Sequence, residues 1–119
     1  MASIREIIVV LCMLIVTIQA CQFSSSCTGI SFDGHTMHAK CRTPYGKHVK
    51  SSIDVSQCVG VDYTGKLDCS SNFAAKCGDV EFNGITIGAR CATAKGYKRF
   101  SNRVLDDCIG NVDGKLTCC

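Results

Sequence analysis

The segment from Cys27 to Cys69 is written a second time from Cys77 to Cys118. The offset is fifty residues, falling to forty-nine after one extra residue in the first copy near Tyr63. Cys27, Phe32, Gly34, Thr36, Ala39, Cys41, Gly46, Ser51 and Cys58 recur as Cys77, Phe82, Gly84, Thr86, Ala89, Cys91, Gly96, Ser101 and Cys108, and the ending Gly65-Lys66-Leu67 recurs as Gly114-Lys115-Leu116. A solenoid needs three or more stacked units to bury a continuous core, so two copies predict a closed, pseudo-symmetric pair instead. At 119 residues the chain is long enough for one such domain and too short for two independent cores.

Each copy carries its cysteines at matching positions, and eleven cysteines beside a single Pro and no Trp point to disulfides in an oxidising compartment. The first twenty residues agree. Arg5 precedes an apolar run from Ile7 to Ile18 that ends in Gln19 and the small Ala20. That run is shorter than a membrane span and has the flanks of a secretory signal, so residues 1–20 are read as a leader and 21–119 as the mature domain, secreted and without a membrane segment. A lipid-bearing Cys21 is the competing reading; Gln19 fits it poorly, and even pairing needs Cys21. Removing Cys12 with the leader leaves ten cysteines, which roughly nine hundred schemes can pair.

The local pattern within each copy is β. "GISFDGHTMHAKC" and "DVEFNGITIGARC" show short alternating segments around Asp-Gly or Asn-Gly, the pair that tolerates the positive φ of a tight hairpin turn. "NVDGKL" repeats the device, and "VDYTGKL" does so with a longer loop. Each copy therefore reads as two hairpins separated by polar stretches, Arg42–Lys50 and Ala92–Phe100, with at most a short turn near Val104–Cys108. Cysteines at the outer ends of an antiparallel hairpin come opposite one another, within disulfide reach. That predicts Cys27–Cys41, Cys77–Cys91 and Cys58–Cys69. Cys108 then takes Cys118 or Cys119. Cys108–Cys118 with a terminal staple Cys21–Cys119 is the working scheme.

"SSIDVSQCVGVDYTGKLDCSSNFAAKC", "NRVLDDCIGNVDGKLT" and the opening "CQFSSSC" resemble the cyanovirin-N homology family over nearly all of residues 21–119. The two fourteen-residue cysteine spans sit where that family has its two disulfides. The resemblance implies an all-β fold whose two halves form by strand exchange between the repeats. One half takes the N-terminal part plus the last hairpin, and the other takes roughly Cys58 to Asp107. It also implies a lectin that binds mannose-rich glycans at one or two sites, without catalysis, metal or cofactor. The chain departs from the family in its six additional cysteines, in Cys69 at a position where a core Trp is common, in the insertion at Tyr63, and in a missing residue before Ser71. The missing residue is commonly a proline that favours domain swapping, and its absence points to a monomer.

Carried over position by position, the resemblance implies a sugar site in the terminal half formed by Gln22, Ser25, Ser26, Arg42, Thr43, Asn111, Val112 and Asp113. The other half presents a weaker second set, Ser71, Asn72, Lys76 and Thr93, among Gly60, Val61, Ala75, Ala92, Ala94 and Gly96. Asn and Asp also serve turns for purely backbone reasons; here a rigid turn would fix the donors and acceptors that sugar hydroxyls require. The absence of Trp fits recognition by hydrogen bonds rather than by stacking. His35, His38 and His48 stand in the first copy only with no nucleophile beside them, so no enzyme is expected, and no Cys-x-x-Cys pair suggests zinc. A net charge of +3 without a Lys or Arg run gives no nucleic-acid footprint. The alternative is a secreted, disulfide-stapled defence or structural protein that keeps the fold without useful sugar affinity.

Overall fold

A computed structural model describes residues 21–119; the expected leader, with Cys12, lies outside the described residues. In chain order the strands are β1 (Cys27–Asp33), β2 (Thr36–Arg42), β3 (His48–Asp54), β4 (Gly60–Val61), β5 (Leu67–Asp68), β6 (Cys77–Asn83), β7 (Thr86–Ala92), β8 (Lys98–Val104), β9 (Ile109–Val112) and β10 (Lys115–Cys118). Helical structure among the described residues is confined to one-turn 3-10 segments, Phe23–Ser25, Val55–Gln57, Phe73–Ala75 and Leu105–Asp107. The fold is all-β and pseudo-symmetric.

Asp33 pairs with Thr36 and Asn83 with Thr86 across two-residue turns, which close because Gly34 and Gly84 adopt φ of 62° and 61°. The strands then alternate: Met37, Ala39 and Cys41 point into the core, while Lys40 and Arg42 are exposed. The polar stretches Arg42–Lys50 and Ala92–Phe100 are not connectors between separate hairpins. β2 pairs with β3 from Thr36↔Asp54 to Arg42↔His48, and β7 with β8 from Thr86↔Val104 to Ala92↔Lys98. Each copy is thus a three-stranded meander followed by a hairpin, with the meander's second turn closed by bonds such as Thr43 N–H to the Lys47 carbonyl at 2.7 Å. β3 hides from the sequence because one of its faces is polar and the other alternates Val49, Ser51 and Ile53.

The hairpins exchange between copies. On the first copy's sheet the Leu116 amide of β10 donates to Ser51 Oγ at 2.9 Å, and on the second copy's sheet the Leu67 amide of β5 donates to the buried Ser101 Oγ at 3.0 Å. One half therefore holds β1, β2, β3, β9 and β10, and the other holds β4 to β8. The same core positions are filled in both copies. Phe23 and Phe73, Met37 and Ile87, Val55 and Leu105, and Val59 and Ile109 are all fully buried. Each is worth roughly 1.5–3 kcal/mol of burial. Phe32 and Phe82, equivalent residues of the two copies, stack on each other with centroids 4.0 Å apart and planes 8° from parallel.

Five disulfides close the domain. Cys27–Cys41 and Cys77–Cys91 join directly paired residues of adjacent strands, with Cα atoms 4.1 and 4.0 Å apart, and Cys21–Cys119 staples the termini across 98 residues. The other two correct the sequence scheme. The pairs are Cys58–Cys118 and Cys69–Cys108, not Cys58–Cys69 and Cys108–Cys118. Register explains the first error, because Gly60 pairs with Asp68 and Cys58 is left one residue beyond Cys69; in the other hairpin Ile109 pairs with Cys118, so Cys108 faces Cys119, which is already bridged to Cys21. Strand exchange then brings each against the cysteine of the other repeat. Both bridges tie repeat to repeat.

Candidate functional site

The turn between β9 and β10 is the centre of the terminal half's candidate site. Asn111 is half-buried, and both hydrogens of its side-chain amide are employed within the protein. Its Nδ2 donates to Ser26 Oγ at 3.0 Å and to the Arg42 carbonyl at 2.9 Å, and its Oδ1 accepts the Gly114 amide at 2.8 Å. One side chain thus fastens three segments that are distant in sequence: the lead-in to β1, the end of β2, and its own turn. The Arg42 amide completes the junction by donating to the Ser26 carbonyl at 2.9 Å. Asn111 is accordingly a positioning residue, and the groups it leaves facing solvent are those of its neighbours.

Those neighbours are polar and accessible. Asp113 sits exposed at φ 55°, held in the left-handed region by the turn, and Val112 is exposed beside it. Arg42 and Ser25 are exposed, and Ser25 Oγ donates to the Gln22 carbonyl at 2.9 Å. Thr43 lies under the turn with its hydroxyl buried and without a hydrogen-bond partner in the protein. Its methyl explains the glycine above it. A Cβ on Gly114 would come within 2.7 Å of Val49 Cγ2 and 2.9 Å of Thr43 Cγ2. The structure brings Ser26, Arg42, Thr43, Asn111, Val112 and Asp113 to one place, with Gln22 and Ser25 on the adjoining lead-in.

The sequence reading missed what holds that lead-in. Gln22 has φ 69°, and its amide donates to the Asp106 carbonyl at 3.0 Å. The Asp106 carboxylate accepts the Ser24 amide at 2.9 Å and also the Ser24 hydroxyl. A carboxylate taking two donors is a firm anchor. The signal was present, because Leu105-Asp106-Asp107 is among the stretches that carry the family resemblance, although nothing local pairs Asp106 with a serine 82 residues away.

The second half has the same frame and a different surface. Val61 stands where Asn111 stands in the terminal half, so no side chain joins Lys76 and Ala92 as Ser26 and Arg42 are joined. The longer turn is held by Asp62, whose Oδ1 accepts the Thr64 hydroxyl at 2.6 Å, the Thr64 amide at 2.8 Å and the Lys66 amide at 3.0 Å. The Thr64 hydroxyl, followed by the Lys66 amide, holds this carboxyl below the ordinary aspartate range. The inserted Tyr63 uses its carbonyl to accept the Ala94 amide at 2.9 Å, and its side of the loop lines a cavity of about 360 Å³ with Thr64, Thr93 and Tyr97 rather than the polar turn found at Asn111. Thr93 donates its hydroxyl to the Tyr97 carbonyl at 3.0 Å, an exposed bond, and the Ser70-Ser71 segment lies so close over Gly60 that a Cβ there would meet the Ser71 carbonyl at 2.5 Å. Ser71, Asn72 and Lys76 are exposed, but no bonded junction like that of Asn111 gathers them. Among the described residues no group of three His, Cys, Asp or Glu side chains is placed to hold a metal ion.

A family model described as the CVNH domain matches residues 23–117. The solved structure of the Gibberella zeae CVNH protein is 26% identical, with a TM-score of 0.70 over 82% of this chain and 96% of that one. A MoCVNH3 variant in complex with (N-GlcNAc)4 has a TM-score of 0.73 at 20% identity, covering 85% of this chain and 99% of that one. Microvirin in complex with mannobiose has a TM-score of 0.64 at 25% identity, covering 83% and 99%. Among curated proteins none matches the sequence.

Proposed function

Since the chain belongs to the CVNH domain family, we propose that it is a lectin, binding carbohydrate without catalysis through a single site in the half built from both termini. The observation that carries this is the Asn111 junction, which fixes Ser26, Arg42 and the Asp113 turn in one rigid arrangement and has no counterpart at Val61. Rigidity matters because each polar contact to a sugar nets only about 0.5–1.5 kcal/mol, which flexible groups would lose to ordering. The exposed Asp113 carboxylate accepts from sugar hydroxyls, the Arg42 guanidinium donates to them, and the Thr43 hydroxyl lies beneath the turn with bonding capacity unused.

The ligand assigned is the non-reducing end of mannose-rich chains, in keeping with the family and with the mannobiose bound by microvirin. The reading includes export of the mature domain after residue 20 and action as a monomer outside the cell. A glycan array probed with refolded residues 21–119 tests it. Retention of mannose-terminated glycans over N-acetylglucosamine oligomers is the expected result. Preference for the N-acetylglucosamine oligomers would overturn the mannose assignment, and an array without any retained glycan would overturn the lectin reading.

A further inference from the structure

The first copy's sheet carries a feature that the sugar site does not use. On its outward face the register sets Lys40 directly opposite Lys50 and Arg42 opposite His48, and His38 lies opposite Ser52 with Nδ1 and Oγ 2.7 Å apart. Like charges facing each other across a ladder destabilise it. Nothing on the sheet relieves them: the ion pairs among the described residues are Arg90–Asp79 and Arg103–Asp107, both in the second copy. β1 contributes only Thr28 beside Lys40 and Ser31 beside His38. The carboxylates in phase with the stripe, Asp33 and Asp54, are paired with Thr36 at the far end of the sheet, and Asp54 is occupied by the Ser56 amide at 2.9 Å.

The second copy serves as an internal control. His38, Lys40 and Lys50 have Gly88, Arg90 and Phe100 as counterparts, and Arg90 has Asp79 at 3.9 Å. The fold therefore does not require the stripe. In the first copy a groove of about 300 Å³ opens on it, lined by Gly29, His38, Lys40, Lys50 and Ser52 among others. The stripe itself continues past the groove, roughly 14 Å from His38 to Arg42 at about 3.4 Å per residue. Its last member, Arg42, belongs to the residue whose carbonyl Asn111 holds.

We propose that this stripe binds a linear saccharide bearing carboxylate or sulfate groups, which lies along β2 and β3 and supplies the charge that Lys40 and Lys50 lack. The choice of a saccharide among polyanions rests on the lectin reading. It is supported by the serine and imidazole donors interleaved with the cations, and by a lining without the Phe, Tyr or Trp platform that runs of stacked nucleic-acid bases use.

Calorimetric titration of residues 21–119 with octamers of galacturonate, chondroitin sulfate and neutral galactan, at about 50 and about 200 mM NaCl, tests it. One or both acidic octamers should bind, whichever binds identifying the anion, with affinity falling several-fold at the higher salt, and the neutral octamer should not. Lys40→Gln with Lys50→Gln should weaken acidic-octamer binding at least about tenfold, or ~1.4 kcal/mol. Arg90→Gln with Lys98→Gln should leave it within about twofold, and mannobiose binding should be the same in both variants. The proposal is overturned if neither acidic octamer binds, if the first pair of changes has no effect, or if a DNA duplex of equal charge binds as tightly. Because mannobiose is measured alongside, loss of the stripe and failure of the sugar site are separable.

Discussion

Replacing Asn111 with Ala removes three hydrogen bonds at one stroke, two donated by Nδ2 and one accepted by Oδ1. At about 0.5–1.5 kcal/mol net for each, the full range is roughly 1.5–4.5 kcal/mol. Asn111 is half-buried, so water recovers part of this, and about 2–3 kcal/mol is expected. With the disulfides intact, the guanidinium midpoint should fall by roughly 0.7–1 M at a slope of about 3 kcal/mol/M. Asn111→Asp sharpens the test. It keeps the acceptor for Gly114 but turns a carboxylate oxygen toward the Arg42 carbonyl, which cannot donate, so it should lose about as much as Ala. The counterpart Val61→Ala removes no hydrogen bond and should cost about 1 kcal/mol. Fluorescence or circular dichroism followed through denaturant decides the matter. Wild-type midpoints for Asn111→Ala and Asn111→Asp would refute the positioning role.

Digestion without reduction should yield peptides linking Cys58 to Cys118 and Cys69 to Cys108, with no alkylatable thiol in residues 21–119; a Cys58–Cys69 peptide would contradict the exchange between repeats. Gly114→Ala and Gly96→Ala meet the same φ of 92°, but only at Gly114 does the new methyl strike Val49 and Thr43. Both should lose roughly 1–2 kcal/mol for the left-handed backbone, and Gly114→Ala about 1–3 kcal/mol more for overpacking, read as the difference in unfolding midpoints. Asp62 titrates in the folded protein below the ordinary aspartate value, so its contribution to stability is present above the unfolded value and is lost as pH falls through the folded one. A carboxyl-carbon NMR titration should place its midpoint below that of an unfolded peptide, and Thr64→Val should move it back upward.

The sequence carries the fold through its repeat. The duplicated turn glycines at Gly34 and Gly84 mark the hairpins, and the resemblance supplies the exchange that no local pattern can show. What stayed hidden has a physical cause in each instance. β3 sets His48, Lys50, Ser52 and Asp54 on its exposed face, and β8 departs from the usual alternation, with Phe100 and Val104 exposed and Arg99, Ser101 and Arg103 opposite the buried Cys91, Ala89 and Ile87 of β7, so neither reads as a strand until its partner is known. Cys58 and Cys108 look like hairpin flanks because sequence distance shows neither that Cys58 is one residue out of register with Cys69 nor that Cys119, which faces Cys108, is taken by Cys21. At the site, the residue set could be carried over, but the division of labour could not: Asn111 reads as a ligand-facing amide, whereas its bonds are spent on Ser26, Arg42 and Gly114. Asp106 acts through Ser24 across the whole chain, and the Tyr63 insertion becomes meaningful only when its carbonyl is seen to take the Ala94 amide.

The central claim is one working sugar site, in the half that both termini build. Titrating ¹⁵N-labelled residues 21–119 with mannobiose and following the backbone amides tests it most directly. The expected result is saturation at one equivalent, with the shifts concentrated at Ser25, Ser26, Arg42, Thr43 and Val112 to Gly114, and abolished by Asp113→Asn, which preserves the turn's left-handed residue. Shifts gathering instead at Ser71, Asn72, Lys76 and Thr93, or requiring two equivalents to saturate, would contradict it.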